Sequence, residues 1–285
     1  MGIKVSNIFY TYQKKASNAT LALNDVSLTI EDNDFIAIVG ETGSGKSTLA
    51  QMLNALLIPD KGQVECDDII VNYKKRKNRK LRNLRKKVGL VFQFPEYQLF
   101  EETVEKDVAF GPKNFGMKQA DAIEEAHKAL NQVGLDESYY KRAPFDLSGG
   151  ERRKVAIAGI LAMNPDIIIF DEPTVGFDPA SAKDLMNLIV DFHKRGKTII
   201  VITHDMNLVS AYAKKTFLLE NGKLIFAGSP AELFDYASSY DRLDIPEVVK
   251  LATKLNEKGM NIPVNQVRDV NDLLKYIKEW RNHHG

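Results

Sequence analysis

Three features of the 285-residue sequence predict an α/β fold built on a parallel sheet. Four short, largely apolar runs, at 35–39, 88–94, 167–170 and 198–203, have the pattern of buried strands, the first of them continuous. Segments with helical spacing lie between them, as parallel crossovers require. A mostly helical stretch, 103–163, interrupts the alternation, and a second helical stretch closes the chain from about 240. The prediction is a parallel α/β core with an inserted helical lobe and a C-terminal helical addition.

Composition agrees with one large domain plus an appendage. Hydrophobic residues make up 44%, charged residues 27%, and the formal net charge is +1, which excludes a disordered chain or an extreme polyelectrolyte. The single Cys66 excludes an internal disulfide framework or a cysteine-based metal cage, and suits a reducing compartment. No run approaches the ~18–20 apolar residues of a bilayer span. The start, Met-Gly-Ile-Lys-Val-Ser, lacks the apolar run of a secretory signal, so a soluble intracellular protein is expected.

In chain order, 3–12 and 21–30 read as strands around a polar turn. The run 35–39 (FIAIV) is the first core strand, and a helix over 46–57 follows it, ended by Pro59-Asp60-Lys61-Gly62. The run 88–94 is the next core strand. After the helical stretch come the strands at 167–170 and 198–203, with a helix over 179–194 between them. Residues 215–227 form a hairpin with Asn221-Gly222 at its turn. Ser229-Pro230-Ala231-Glu232 carries a capping box and a proline at the first helical position. Two further helices, 247–257 and 270–281, are separated by Gly259 and Pro263.

The charge is unevenly placed. Residues 74–87 hold ten of the 39 basic residues and no acid, leaving 29 basic against 38 acidic elsewhere, a balance of −9. Leu81, Leu84 and Val88 would seat a short helix with its cations outward, a solvated face. Contact with anionic headgroups is the alternative; without interleaved aromatics to stack on bases, nucleic acid is not expected.

Three motifs carry chemistry. Gly40-Glu41-Thr42-Gly43-Ser44-Gly45-Lys46-Ser47 fits G-x-x-x-x-G-K-[ST] between a strand and a helix, the context this phosphate loop requires. Its glycines let successive N–H groups point into one concavity, and the helix end adds unsatisfied donors. Lys46 would reach the β- and γ-phosphates, Ser47 would coordinate magnesium, and Thr48 belongs to the same nucleotide-binding group. The strand at 167–170 ends in Asp171-Glu172, at the sheet edge where α/β ligands bind. Asp171 would hold magnesium, and Glu172 would orient or deprotonate an attacking water. Leu147-Ser148-Gly149-Gly150-Glu151 then offers a second anion-binding helix end, with Ser148, Gly149 and Gly150 as the candidate contacts. One chain needs one cradle per nucleotide, so a second suggests a site shared between two chains.

In this order the motifs resemble those of ATP-binding-cassette (ABC) ATPases, over roughly residues 3–235. The resemblance implies a P-loop NTPase cassette with a RecA-like parallel-sheet core and an N-terminal antiparallel β-subdomain. The nucleotide-binding domain would span 1–238, with its helical lobe at about 94–163, and a C-terminal helical extension would span 239–285. ATP and Mg2+ are the implied cofactors. Gln93 matches the Q-loop glutamine, a magnesium and water contact that links core and lobe. Asp178 matches the aspartate that crosses the dimer interface, and His204 the switch histidine on the γ-phosphate. Tyr12 matches the aromatic that stacks on adenine, with Tyr10 close enough to compete. Lys46, Gln93, Glu172 and His204 are thus the implied catalytic set. Two departures stand out: the signature ends in Glu151 rather than Gln, and Val175-Gly176-Phe177-Asp178 replaces Ser-Ala-Leu-Asp.

A narrower stretch, Phe92-Gln93-Phe94-Pro95-Glu96-Tyr97-Gln98-Leu99-Phe100, followed by Thr103-Val104 and Asp107-Val108-Ala109-Phe110-Gly111-Pro112, resembles the second ATPase subunit of energy-coupling factor (ECF) transporters. That family implies uptake of vitamins or related micronutrients, driven at the cytoplasmic face of the cell membrane by a peripheral ATPase. Its implied partners are a second, unlike ABC ATPase, a membrane T component gripped through residues 93–100, and substrate-binding S components reached indirectly. A homodimer stays open. The C-terminal helices would join the two ATPases or pack on their own domain. The ATPase of another ABC importer is the alternative. DNA-maintenance cassettes, which also carry Ser-Gly-Gly, separate their motifs by long coiled coils, whereas Gly40 and Asp171 here stand 131 positions apart.

Overall fold

Strands β1 (Ile3–Tyr12), β2 (Thr20–Ile30), β4 (Lys61–Cys66) and β5 (Ile69–Val71) pair antiparallel in the order β2-β1-β4-β5. The computed structural model describes residues 2–15, 17–73, 79–237 and 243–284. The boundary expected at 238/239 and positions 74–78 of the basic run lie outside the described residues.

The second sheet has the order β10-β9-β3-β8-β7-β6, with β3 at Phe35–Val39, β6 at Val88–Val91, β7 at Ile167–Asp171, β8 at Thr198–Ile202, β9 at Lys215–Glu220 and β10 at Lys223–Gly228. Pairing is parallel from β9 through β6, and β10 is an antiparallel edge strand closed by the expected Asn221-Gly222 turn. Every residue of β3, β6, β7 and β8 is buried, which explains their largely apolar runs. Each large side chain fully buried there contributes roughly 1.5–3 kcal/mol.

Two expected elements end early, and three others were not foreseen. Helix α1 covers Lys46–Leu53 rather than reaching 57, because Asn54 caps it and Ala55 turns left-handed (φ 58°) to bury its methyl. β6 stops at Val91, the last residue paired with β7, so Phe92 and Gln93 leave the sheet edge. β4 and β5 were not read from the sequence, since Lys61–Cys66 carries its charged residues outward and only Val64 and Cys66 are buried. The same holds for the seven-residue helix α8 (Met206–Tyr212), capped by Asp205.

Helix α2 (Arg79–Lys87) forms the second part of the basic run and buries Leu81 and Leu84 against the core, with Val88 buried at the start of β6. Several of its cations are engaged within the chain. Arg85 donates to the Ala55 carbonyl at 2.8 Å, Lys87 pairs with Asp67, and Arg82 lies 5.4 Å from the Phe115 ring. The helical lobe comprises α3 (Val104–Asn114), α4 (Gln119–Gln132), α5 (Glu137–Tyr140) and α6 (Gly149–Leu161), sharing an apolar cluster with one face of the sheet and with α7 (Pro179–Lys194).

The tail packs on its own domain. Helices α9 (Pro230–Ala237), α10 (Glu247–Glu257) and α11 (Val270–His284) share one cluster with Ala37, Val39, Val209 and Leu218, so the sheet continues into the tail without a gap. Leu251, Val270 and Leu274 remain exposed on the far side. Leu273→Ala removes a buried side chain from this junction and should cost about 2–5 kcal/mol in a single cooperative urea transition. A separate low-urea phase, with the main midpoint unmoved, contradicts a shared core.

Candidate functional site

The loop between β3 and α1 cannot be built from ordinary residues. At Gly40 (φ 142°) a Cβ would stand 2.2 Å from the Leu219 carbonyl oxygen, and at Gly45 (φ 103°) 2.5 Å from that of Ala22. No side chain caps α1, so its first N–H groups stay available to a ligand. The buried Ser44 hydroxyl has no hydrogen-bond partner, and Lys46 folds back to donate to the carbonyls of Gly40 (2.7 Å) and Glu41 (2.8 Å). An orphaned hydroxyl, a helix end and a buried ammonium around one concavity fit a phosphate chain.

Across the strand ends lie the acids. Asp171 closes β7, and the exposed Ser47 hydroxyl donates to its carboxylate. Burial, helped by the neighbouring Glu172, holds the Asp171 carboxyl above its ordinary range, while Ser47 and Lys46 offset part of that. Burial pushes the Lys46 ammonium below its ordinary range against the pull of Glu172 and Asp171. Glu172 has a left-handed backbone (φ 49°), its N–H donates to the Ile202 carbonyl at 2.9 Å, and its Oε1 lies 2.9 Å from His204 Nδ1. A non-glycine residue pays of order 1–3 kcal/mol for such a conformation, and this one aims a carboxylate at the phosphate loop's side of the sheet. The Asp171 carboxylate with the Ser47 hydroxyl beside it is a pair of hard oxygen donors, the kind that fits a magnesium ion drawing its other ligands from phosphate and water.

Tyr12 is 37% exposed, its hydroxyl 3.2 Å from Thr48 Oγ1 beside α1, and it meets Tyr10 edge-on at 4.9 Å. Tyr10 is partly buried against the core, which leaves Tyr12 with the free ring face. Ser148 caps α6 in a full capping box: its hydroxyl accepts from Glu151 N (3.3 Å), and Glu151 Oε2 accepts from Ser148 N (2.8 Å) and Oγ (2.7 Å). Gly149 and Gly150 are helical, and a Cβ on either would meet nothing within 4 Å. Gly40, Glu41 and His204 line one hollow, Ser148 and Gly150 a separate one.

Comparison with known proteins agrees with this geometry. A sequence model of the family described as ABC transporter matches residues 23–175. The energy-coupling factor transporter ATP-binding protein EcfA2 of Streptococcus agalactiae is 47% identical over 280 residues, covering 98% of this chain and 99% of that protein. Its counterpart from Streptococcus pneumoniae is 47% identical over 263 residues, covering 92% and 94%. This chain belongs to the ABC transporter ATP-binding proteins, in the energy-coupling factor branch. The solved structure of cbiO1 from Clostridium perfringens, described as part of the ABC transporter complex cbiONQ, superposes with a TM-score of 0.72 at 33% identity, covering 90% of this chain and 96% of that one. The ATP-binding cassette MJ0796, solved as a dimer bound to ADP and Pi, gives 0.70 at 31% identity, covering 80% and 98%.

As a cassette, the chain places its remaining candidates unevenly. Gln93 is exposed just beyond β6, in the segment that turns at Phe94 (φ 54°) into a 3-10 helix at Pro95–Gln98. Asp178 caps α7, accepting from Ala180 N (3.0 Å), Ser181 N (3.1 Å) and Ser181 Oγ (2.5 Å). Both departures from the commoner motifs have structural roles. Glu151 completes the capping box and accepts from Tyr139 at 2.9 Å, while Gly176 takes φ 84° and Phe177 lies beneath the Arg153 guanidinium at 4.3 Å. Sequence reasoning missed Arg153, a buried cation hidden among Arg152-Arg153-Lys154; its only signal was a place four residues before the buried Ile157.

The folded chain holds the Asp171 proton more tightly than an unfolded chain does, so charging this carboxylate costs stability as pH rises through the carboxylate range. Asp171→Asn should raise the thermal midpoint of the nucleotide-free chain at neutral pH. The gain should shrink as pH falls toward an unfolded aspartate's pKa of about 4. Scanning calorimetry across that range checks both, and an unchanged or lower midpoint at neutral pH contradicts the buried-charge account.

Proposed function

We propose that this chain is one of two ATPases that clamp ATP between them and pull on the membrane T component of an ECF importer, at the cytoplasmic face of the cell membrane. Uptake of vitamins or related micronutrients through S components would follow from that motion. The observation that carries the shared-site reading is the glycine pair at 149 and 150. Neither backbone conformation nor packing within the chain requires glycine there, which leaves close approach by a second molecule. A partner cassette's nucleotide is the ligand such an open, donor-rich helix end would take.

In this arrangement the loop from Gly40 to Ser47 cradles the phosphates, Lys46 leaves its carbonyls to neutralise the β- and γ-phosphates, and Thr48 and Tyr12 border the adenine side. Ser47, Asp171 and Gln93 would hold magnesium, which when bound withdraws charge from the phosphates and fixes their geometry. Glu172 accepts the proton of the attacking water. His204, held at 2.9 Å from that carboxylate, orients it and reaches the γ-phosphate side. Ser148, Gly149, Gly150 and Asp178 serve the nucleotide across the interface. A second, unlike ATPase is favoured as the partner by the likeness to an EcfA2 protein.

The docking face is an apolar patch around the 3-10 turn. Tyr97 is 82% and Phe100 57% exposed, Phe110 packs edge-on to Phe100 at 4.8 Å, and Gln93 lies at the turn's start. Aromatic anchors of this kind suit a membrane partner's cytoplasmic helix. No helix among the described residues is long and apolar enough to cross a membrane, so contact with the bilayer would run through that partner.

Glu172→Gln should keep ATP binding, accumulate an ATP-bound dimer and slow phosphate release by roughly 10²–10⁴-fold, the usual share of a general base. Near-normal turnover in that variant rejects the assignment. Replacing Tyr97 and Phe100 together by alanine should reduce recovery of the chain with its membrane partner by about tenfold or more, as loss of hot-spot aromatics does. Unchanged recovery moves the docking face elsewhere.

A further inference from the structure

Arg153 holds together two segments that would otherwise be independent. It projects from α6, is 5% exposed, and spends its guanidinium in two directions. Nε and Nη2 donate to the two oxygens of Glu96 at 2.9 and 3.0 Å, inside the 3-10 turn. Nη1 donates to the carbonyls of Pro173 and Val175, both at 3.2 Å. Its flat faces meet Phe177 at 4.3 Å and Phe94 at 5.7 Å.

Each of these segments contains or adjoins a non-glycine residue with a strained backbone. Phe94 (φ 54°) lies two positions before Glu96, and Glu172 (φ 49°) one position before Pro173. Such conformations persist only where the surroundings over-determine them. The backbone after Glu172 has few restraints of its own: Val175 N to Glu172 O is a long 3.4 Å, and Phe177 N to Thr174 O is 3.2 Å. The forked donors of one buried guanidinium supply the rest. A lysine could pair with Glu96 but could not also reach two carbonyls in a fixed plane.

We propose that Arg153 is a positioning residue for hydrolysis, fixing the backbone that carries Glu172 and the segment leading to Asp178 to the turn that carries Gln93 and Phe94. The proposal rests on Glu172 as the base. Arg153 touches no nucleotide group, so its loss acts on the geometry of the attacking water more than on affinity for ATP.

The test uses the full chain in its ATP-hydrolysing assembly, with Arg153→Lys, Arg153→Met, Glu96→Gln and Glu172→Gln made in parallel. Arg153→Lys and Arg153→Met should lower kcat about 10–100-fold, the scale of a small misplacement at a reacting centre, with ATP affinity by calorimetry held within about threefold. Glu96→Gln keeps an acceptor for the guanidinium and both carbonyl contacts, so it should lose less turnover than Arg153→Lys. Amide exchange should rise in Arg153→Lys both at 94–98 and at 173–177. Where Arg153→Met does not fold, Arg153→Lys carries the test. A kcat for Arg153→Lys within twofold of the native value overturns the proposal. So does a loss of ATP affinity in step with kcat, which marks a merely structural role. If Glu172→Gln turns over normally, the assignment of the base falls and takes this proposal with it; a dead Glu172→Gln beside an active Arg153→Lys removes this proposal alone.

Discussion

Parallel pairing of β3, β8 and β7 makes Gly40, Glu172 and His204 leave the sheet at one level, because Ile38 stands opposite Ile202 and Ile202 opposite Asp171. Two further bonds lock that level: Thr203 N donates to Ile38 O at 3.2 Å and Glu172 N to Ile202 O at 2.9 Å. A slip of one residue would turn each apolar run inside out on the sheet and carry the carboxylates out of reach of the phosphate loop. Burial of all fifteen side chains in these three strands therefore holds the chemistry in register as well as holding the fold together.

The same edge gathers costs that only a ligand relieves. Lys46 and Asp171 are both shifted by burial toward their neutral forms, the Ser44 hydroxyl is unpartnered, and Glu172 sits in a left-handed conformation. In the proposed nucleotide complex, phosphate oxygens and a divalent cation would offset these costs, which would couple binding to stability at this edge. Destabilising the empty site in this way favours a geometry complementary to the reacting phosphate over one that is merely comfortable when empty.

The helical lobe is organised on the opposite principle. Its signature end satisfies itself, with Ser148 and Glu151 exchanging hydrogen bonds and Tyr139 joining from α5, while the glycines beside it stay open to outside contact. Arg153, buried in a charge pair with Glu96, ties that lobe to the core through the carbonyls of Pro173 and Val175, and removing one partner of such a pair is far more damaging than replacing both. The tail helices complete the far face of the core sheet, leaving Leu251, Val270 and Leu274 as its outward apolar positions.

Much of this was legible because it is local. Apolar runs long enough for buried strands, a glycine pattern between strand and helix, the capping box at Ser229 and the Asn221-Gly222 turn each depend on neighbours in sequence. The glycine loop accordingly lies between β3 and α1, Asp171 closes β7 and Ser148 opens α6, where the local sequence pattern puts them. What sequence left undecided depends on partners far along the chain. β4 and β5 have too few apolar residues to stand out, and are strands only because β1 offers them an edge. α1 stops at Leu53, where Asn54 caps it and Ala55 turns left-handed into the core. Tyr12 is separated from Tyr10 only by which ring the core covers. The Glu172–His204 pair spans 32 residues, and the Arg153–Glu96 pair 57, distances over which charge and spacing carry no information. Sequence by itself determined the elements and the chemistry each strand end carries, since propensity and turn geometry act over a few residues. Tertiary structure alone decided which of those groups meet, because contact at a sheet edge is set by register and burial across the whole domain.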